Sequence, residues 1–125
     1  MIGFGLAALT AISFVALGIA GLLCPEHASA QYGLLLQSDS AIRLKRAMAV
    51  RDVAIGCLLG ILAFAARDAL AWAMCVTVAI AATDWILVSG APSPTAAAQM
   101  GRAARLHGAG AAGLLLSAAL LLAGY

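Results

Sequence analysis

Four stretches of the chain are each about as long and as apolar as a helix must be to cross a bilayer, roughly 20 residues. Ile2–Leu23 contains no charge at all. Residues 47–66 are apolar except for Arg51 and Asp52, residues 69–89 except for Asp84, and residues 106–124 except for His107 near their start. Composition agrees. Of 125 residues, 65% are hydrophobic and 10% are charged, against about 45–50% and about 25% in soluble domains. Twelve charged side chains are too few to cover a soluble globule of this size. A disordered tail, a collagen-like chain and a disulfide scaffold are excluded as well. A net charge of +2 gives no reason to expect nucleic acid as a partner.

The expected fold is therefore all-α: one integral membrane domain over 1–125, an antiparallel bundle of four transmembrane helices at about 2–23, 40–66, 69–89 and 94–124. Pro25 ends the first helix, because proline cannot continue the hydrogen-bond ladder. Ser38, Asp39 or Ser40 caps the second. Arg67 and Asp68 make up nearly all of the turn before the third, so those two helices form a hairpin. Ser93 is the expected N-cap of the last helix, with Pro94 at its first position. Residues 31–37 read as an interfacial segment. The first helix is read as a true span and not a signal peptide, since no basic residue precedes its 22 apolar ones.

Basic residues near the spans set the expected orientation. Arg43, Lys45, Arg46, Arg102 and Arg105 flank two connections, while the hairpin turn holds only Arg67. Both termini are expected outside an integral cell membrane, with loops 24–46 and 90–105 cytosolic. Membrane lipid is the expected surrounding.

The ionisable residues inside the spans carry the functional signal, because each costs about 2.5–3.5 kcal/mol to insert. Arg51, Asp52 and Asp84 each lie 16 residues from Arg67 or Asp68, about 24 Å along a helix. His107 falls at a similar level. One layer in the cytosolic leaflet thus gathers Arg51, Asp52, Asp84 and His107 as candidate catalytic groups. Glu26, His27, Trp85, Thr77 and Gly56 are expected to line a substrate chamber beside them. An Asp between Arg and His can orient an imidazole, and an Arg can hold an oxyanion. Such a set suits isomerisation, cyclisation or epoxide opening on a lipophilic small molecule. The competing reading is a non-catalytic membrane helper subunit whose ion-pair network only fixes helix register. A third places Asp84 or Asp52 in a small proton-coupled transporter.

No Ser/His/Asp triad, P-loop, Rossmann fingerprint or H-E-x-x-H is present. Cys24, Cys57 and Cys75 have no metal-ligand spacing, so neither a metal nor a cofactor is expected. Gly56-x-x-x-Gly60 on the second helix, and the stripes His107, Gly110, Ala111 and Ala104, Gly108, Ala112 on the last, are small-residue faces suited to close helix approach. They are also the expected surface for any homo-oligomer.

Arg51-Asp52 followed by Gly56, Asp84-Trp85, and His107-Gly108-Ala109 resemble a domain-of-unknown-function family of small four-helix integral membrane proteins. In size and span count that family is loosely similar to DoxX-like proteins. The resemblance covers most of the chain from Arg43 onward. It implies the four-helix fold and no particular activity.

Overall fold

A computed structural model describes residues 2–30, 36, 38–89 and 96–124, with side chains described except at 85, 87–89 and 96–107. Every regular element among these residues is a helix: α1 Ile2–Leu23, α2 Pro25–Ala30, α3 Asp39–Ala65, α4 Arg67–Ser89 and α5 Ala96–Leu122. The all-α class is thus as expected, with one helix more.

The extra element is α2. Pro25 does end α1, but its fixed φ also suits the first turn of a helix, where its missing N–H has no bond to lose. Only Cys24 separates the two helices. The Ala28 N–H donates back to the Cys24 carbonyl at 2.9 Å, closing the first turn of α2.

Ser38 caps α3 from extended backbone (φ −149°), and its Oγ accepts from the Ala41 N–H at 3.2 Å. The hairpin turn is tighter than the sequence suggests. Ala66 alone makes it, its N–H bonding back to the Leu62 carbonyl and its own carbonyl accepting from the Leu70 N–H. Arg67 and Asp68 therefore belong to α4, and Asp68 sits in the first turn, where a carboxylate meets the positive end of the helix. At the other end of the chain, Gly124 takes φ +83° and its N–H bonds to the Leu121 carbonyl, so α5 stops at Leu122 and not at residue 124. The expected Ser93 cap with Pro94, and nearly all of the 31–37 segment, lie outside the described residues.

The long helices pack as a ring, α1 on α3, α3 on α4, α4 on α5 and α5 back on α1. The α1–α3 seam shows its own direction. A Cβ added at Gly56 would meet the Ala11 carbonyl and Val15, one at Gly18 would meet Ala49 and Val53, and one at Gly21 would meet Ala49. Numbers rise along α1 as they fall along α3, so the pair is antiparallel.

The packed core contains Ala7 and Ala11 of α1, Leu59 and Ala63 of α3, Leu70 and Met74 of α4, and Leu114 and Ala118 of α5. It fills the half of the bundle near the Ala66 turn. Three hydroxyls of the long helices bond to the carbonyl one turn back, Thr10 to Leu6, Thr77 to Ala73 and Ser117 to Gly113, each at 2.8 Å, whereas the buried Ser29 hydroxyl of α2 has no partner among the described residues. Those three therefore add no unsatisfied donor to an apolar surrounding.

By length and composition, α1 and α3 can each cross a membrane, and Gly108–Leu122 of α5 is a shorter apolar run. The outer surface is apolar on every long helix: Ile12 on α1, Ile61 on α3, Val76 on α4 and Leu115 on α5 are all more than half exposed.

Candidate functional site

Away from the core, in the half of the hairpin remote from Ala66, Arg51 of α3 faces Asp84 of α4. Arg51 Nη2 donates to Asp84 Oδ2 at 2.7 Å and Nη1 donates to Asp84 Oδ1 at 3.3 Å. The same guanidinium turns its other edge to its neighbour Asp52, with Nη2 donating to Oδ1 at 3.1 Å and Nε at 3.4 Å. One arginine thus forks onto two carboxylates, a geometry lysine cannot reproduce. Asp84 lies three residues farther from the turn than Arg51 does, about 4.5 Å of helix, which the arginine side chain covers.

The cluster is half-buried. The Arg51 side chain is 37% exposed, Asp52 21% and Asp84 22%, so all three remain reachable from outside the bundle. Both Asp52 contacts fall on Oδ1. Its Oδ2 has no hydrogen-bond partner among the described residues. Lys45, seven residues back on α3, adds a positive charge that acts on Asp52 through space.

The structure brings together three of the four expected ionisable groups. His107 lies in α5 and Trp85 in α4, but their side chains lie outside the described residues, so the chamber expected around them does too. Glu26 and His27 sit on α2, both exposed, and no ion pair or hydrogen bond joins either to Arg51 or its two carboxylates. Thr77 is buried, and its hydroxyl is turned back to the Ala73 carbonyl. Gly56 packs against the α1 backbone. Among the described residues no three metal-ligating side chains converge.

The family described as Domain of unknown function (DUF4267) matches residues 11–121. The chain belongs to this family. No curated protein and no solved structure matches it. Within this DUF4267 chain the matched region takes in Arg51, Asp52, Asp84 and His107 and nearly all of the bundle core.

Two features of this DUF4267 chain were not apparent in its sequence. Gly18 and Gly21 are close-approach glycines of α1, as essential to the α1–α3 seam as Gly56. Their signal is the run Ala7, Ala11, Gly18, Gly21, which keeps small residues on one face at spacings of four, seven and three. The expected small-residue faces of α5 are not packed in the same way. Among the described residues nothing lies within 4 Å of a Cβ built at Gly108, Gly110 or Gly113, nor at Gly60 of α3. Glycine and alanine occur on every face of these helices, so spacing alone does not say which face meets a neighbour.

Proposed function

We propose that this chain is a membrane-embedded acid/base enzyme of the isomerase or cyclase class, acting on a lipophilic small molecule at the Arg51–Asp52–Asp84 cluster. Four spans cross the bilayer, both termini face outward, and the cluster lies in the cytosolic leaflet. The apolar outer surface of α1, α3, α4 and α5 and the five basic residues flanking loops 24–46 and 90–105 support that placement.

One observation carries the catalytic reading. Arg51 neutralises one of its two carboxylates, and Asp52 offers a free Oδ2 while Oδ1 keeps both arginine bonds. A proton on that Oδ2 leaves the fork undisturbed. Asp52 then has a proton to give to a carbonyl or epoxide oxygen, and Arg51 stands beside it to stabilise the charge that develops. A proton released from carbon returns to Asp52, so a proton shift or ring closure balances with no external reagent.

The test compares lipophilic extracts of a strain lacking the protein, complemented with wild type or Asp52→Asn. A compound that accumulates in the deletion strain, disappears with wild type and persists with Asp52→Asn is expected. Identical extracts from all three strains overturn the proposal. In nanodiscs, the carbonyl stretch of a protonated carboxylic acid should be visible by infrared difference spectroscopy and absent from Asp52→Asn.

A scaffold reading draws on the same fork, since Arg51 already satisfies Asp84 at both oxygens. It differs in its forecast for the extract: Asp84→Asn, which lowers the melting temperature on either reading, would leave the extract unchanged.

A further inference from the structure

The bundle carries a second polar feature, at the end opposite the Arg51 cluster. Beside the Ala66 turn, a pocket of 520 Å³ opens between α1, α4 and α5. That volume falls within the roughly 300–1,000 Å³ range of small-molecule sites. Phe4, Trp72, Leu121 and Leu122 form its apolar walls, and Arg67 and Asp68 stand on its rim.

The rim charges are both exposed and do not neutralise each other. No ion pair joins Arg67 to Asp68, and Arg67 instead lies over the Phe4 ring, 5.5 Å from its centroid. Phe4 is held in turn edge-on by Phe64, at 6.0 Å and 81°. This contact holds the guanidinium beside the pocket, and its N–H groups have no hydrogen-bond partner among the described residues. Adjacent residues on a helix point about 100° apart, so the carboxylate of Asp68 marks a second, separate position on the rim. Trp72 follows Asp68 by one turn, and its indole is 67% exposed.

A donor fork, a carboxylate with an aromatic face one turn away, and an apolar floor match the parts of one molecule: a phosphate, an ammonium and an acyl chain. The geometry points to a binding site for a zwitterionic phospholipid of the outer leaflet. Arg67 takes the phosphate, Asp68 and Trp72 take the ammonium, and one chain lies along Leu121 and Leu122. Asp68 also sets the selectivity. An anionic headgroup brings no cation to this carboxylate and meets it with like charge. The site rests on the membrane placement proposed above and is independent of the chemistry at Arg51.

The experiment uses the full chain in nanodiscs made from equal amounts of phosphatidylethanolamine and phosphatidylglycerol. The protein is then released into mild detergent, and the lipids it retains are identified by native mass spectrometry. Wild type should keep one phosphatidylethanolamine in clear preference to phosphatidylglycerol. Arg67→Ala should lower that retention about tenfold, as loss of a charge-assisted fork on phosphate requires. Asp68→Asn, at an exposed position that should fold whatever becomes of Arg67→Ala, should bring phosphatidylglycerol level with phosphatidylethanolamine. Arg43→Ala, on the other side of the bundle, should change nothing. Equal retention of the two lipids by wild type, or an unchanged ratio in Asp68→Asn, overturns the site alone. A chain that stays soluble without detergent and does not enter discs overturns the membrane placement with it.

Discussion

At 2.7 Å the Arg51–Asp84 contact is the shortest bond in the polar cluster, and it joins two helices, whereas the Asp52 contact stays within one. Removing the arginine leaves Asp84 without its partner and two neighbouring carboxylates with only Lys45, acting on Asp52 through space, to offset them. Arg51→Ala should therefore lower stability by about 3 kcal/mol, the lower end of what breaking a buried pair costs, because the site is partly exposed. Arg51→Lys should recover only a fraction, since a single ammonium cannot fork onto both partners. Asp84→Asn should be more damaging than Asp52→Asn, because of the two carboxylates Asp84 is the one that Arg51 reaches on another helix. Thermal melting of the three variants in the same detergent checks the order, and an Asp52→Asn that melts lowest contradicts it. The pairing of Arg51 with Asp84 was legible in the sequence because their similar depth on the two arms of a hairpin, within one helical turn, follows from counting residues. The free Oδ2 of Asp52 was not, since rotamers are set by packing that no spacing rule contains.

Among the helices, α1 and α3 are held by what is missing from them. A methyl group at Gly56 would come within 2.7 Å of the Ala11 carbonyl oxygen and 2.9 Å of the Val15 nitrogen. Backbone atoms cannot swing aside, so Gly56→Ala must push the helices apart. The expected loss is about 1–3 kcal/mol, the usual range for overpacking. Gly108→Ala serves as the contrast, because no described residue lies within 4 Å of a Cβ there; its melting temperature should match or slightly exceed wild type. Equal losses in both variants would mean that α5 meets a neighbour there. Hydropathy and length revealed the four long helices, and Ser38 announced the start of α3 through its capping side chain. Hydropathy could not reveal α2, whose six residues include Glu26 and His27, nor which of many glycines would touch a partner.

Across the whole molecule the two ends differ in kind. Near Ala66 the helices meet through a packed apolar core, and at the far end α3 and α4 are joined by Arg51 and Asp84. The basic bias expects the second end in the cytosol. Cys24 is exposed just beyond α1 on that side, which makes it a native reporter. In a chain with Cys57→Ala and Cys75→Ala, a membrane-impermeant maleimide applied to intact cells should leave Cys24 unlabelled, while Tyr125→Cys in place of Cys24 should react. Labelling of Cys24 from outside would invert the topology.

The single-residue turn at Ala66 also bears on how this chain can change over evolutionary time. With no slack in the connection, the register between Arg51 and Asp84 is fixed by the number of residues between them. Deleting or inserting one residue anywhere from 53 to 83 would rotate one partner by about 100° and shift it by about 1.5 Å relative to the other. The fork would then be lost, whatever the residues involved. That stretch should accept many exchanges of one apolar side chain for another and almost no change in its length, so its reading frame of helix turns is inherited more strictly than its spelling.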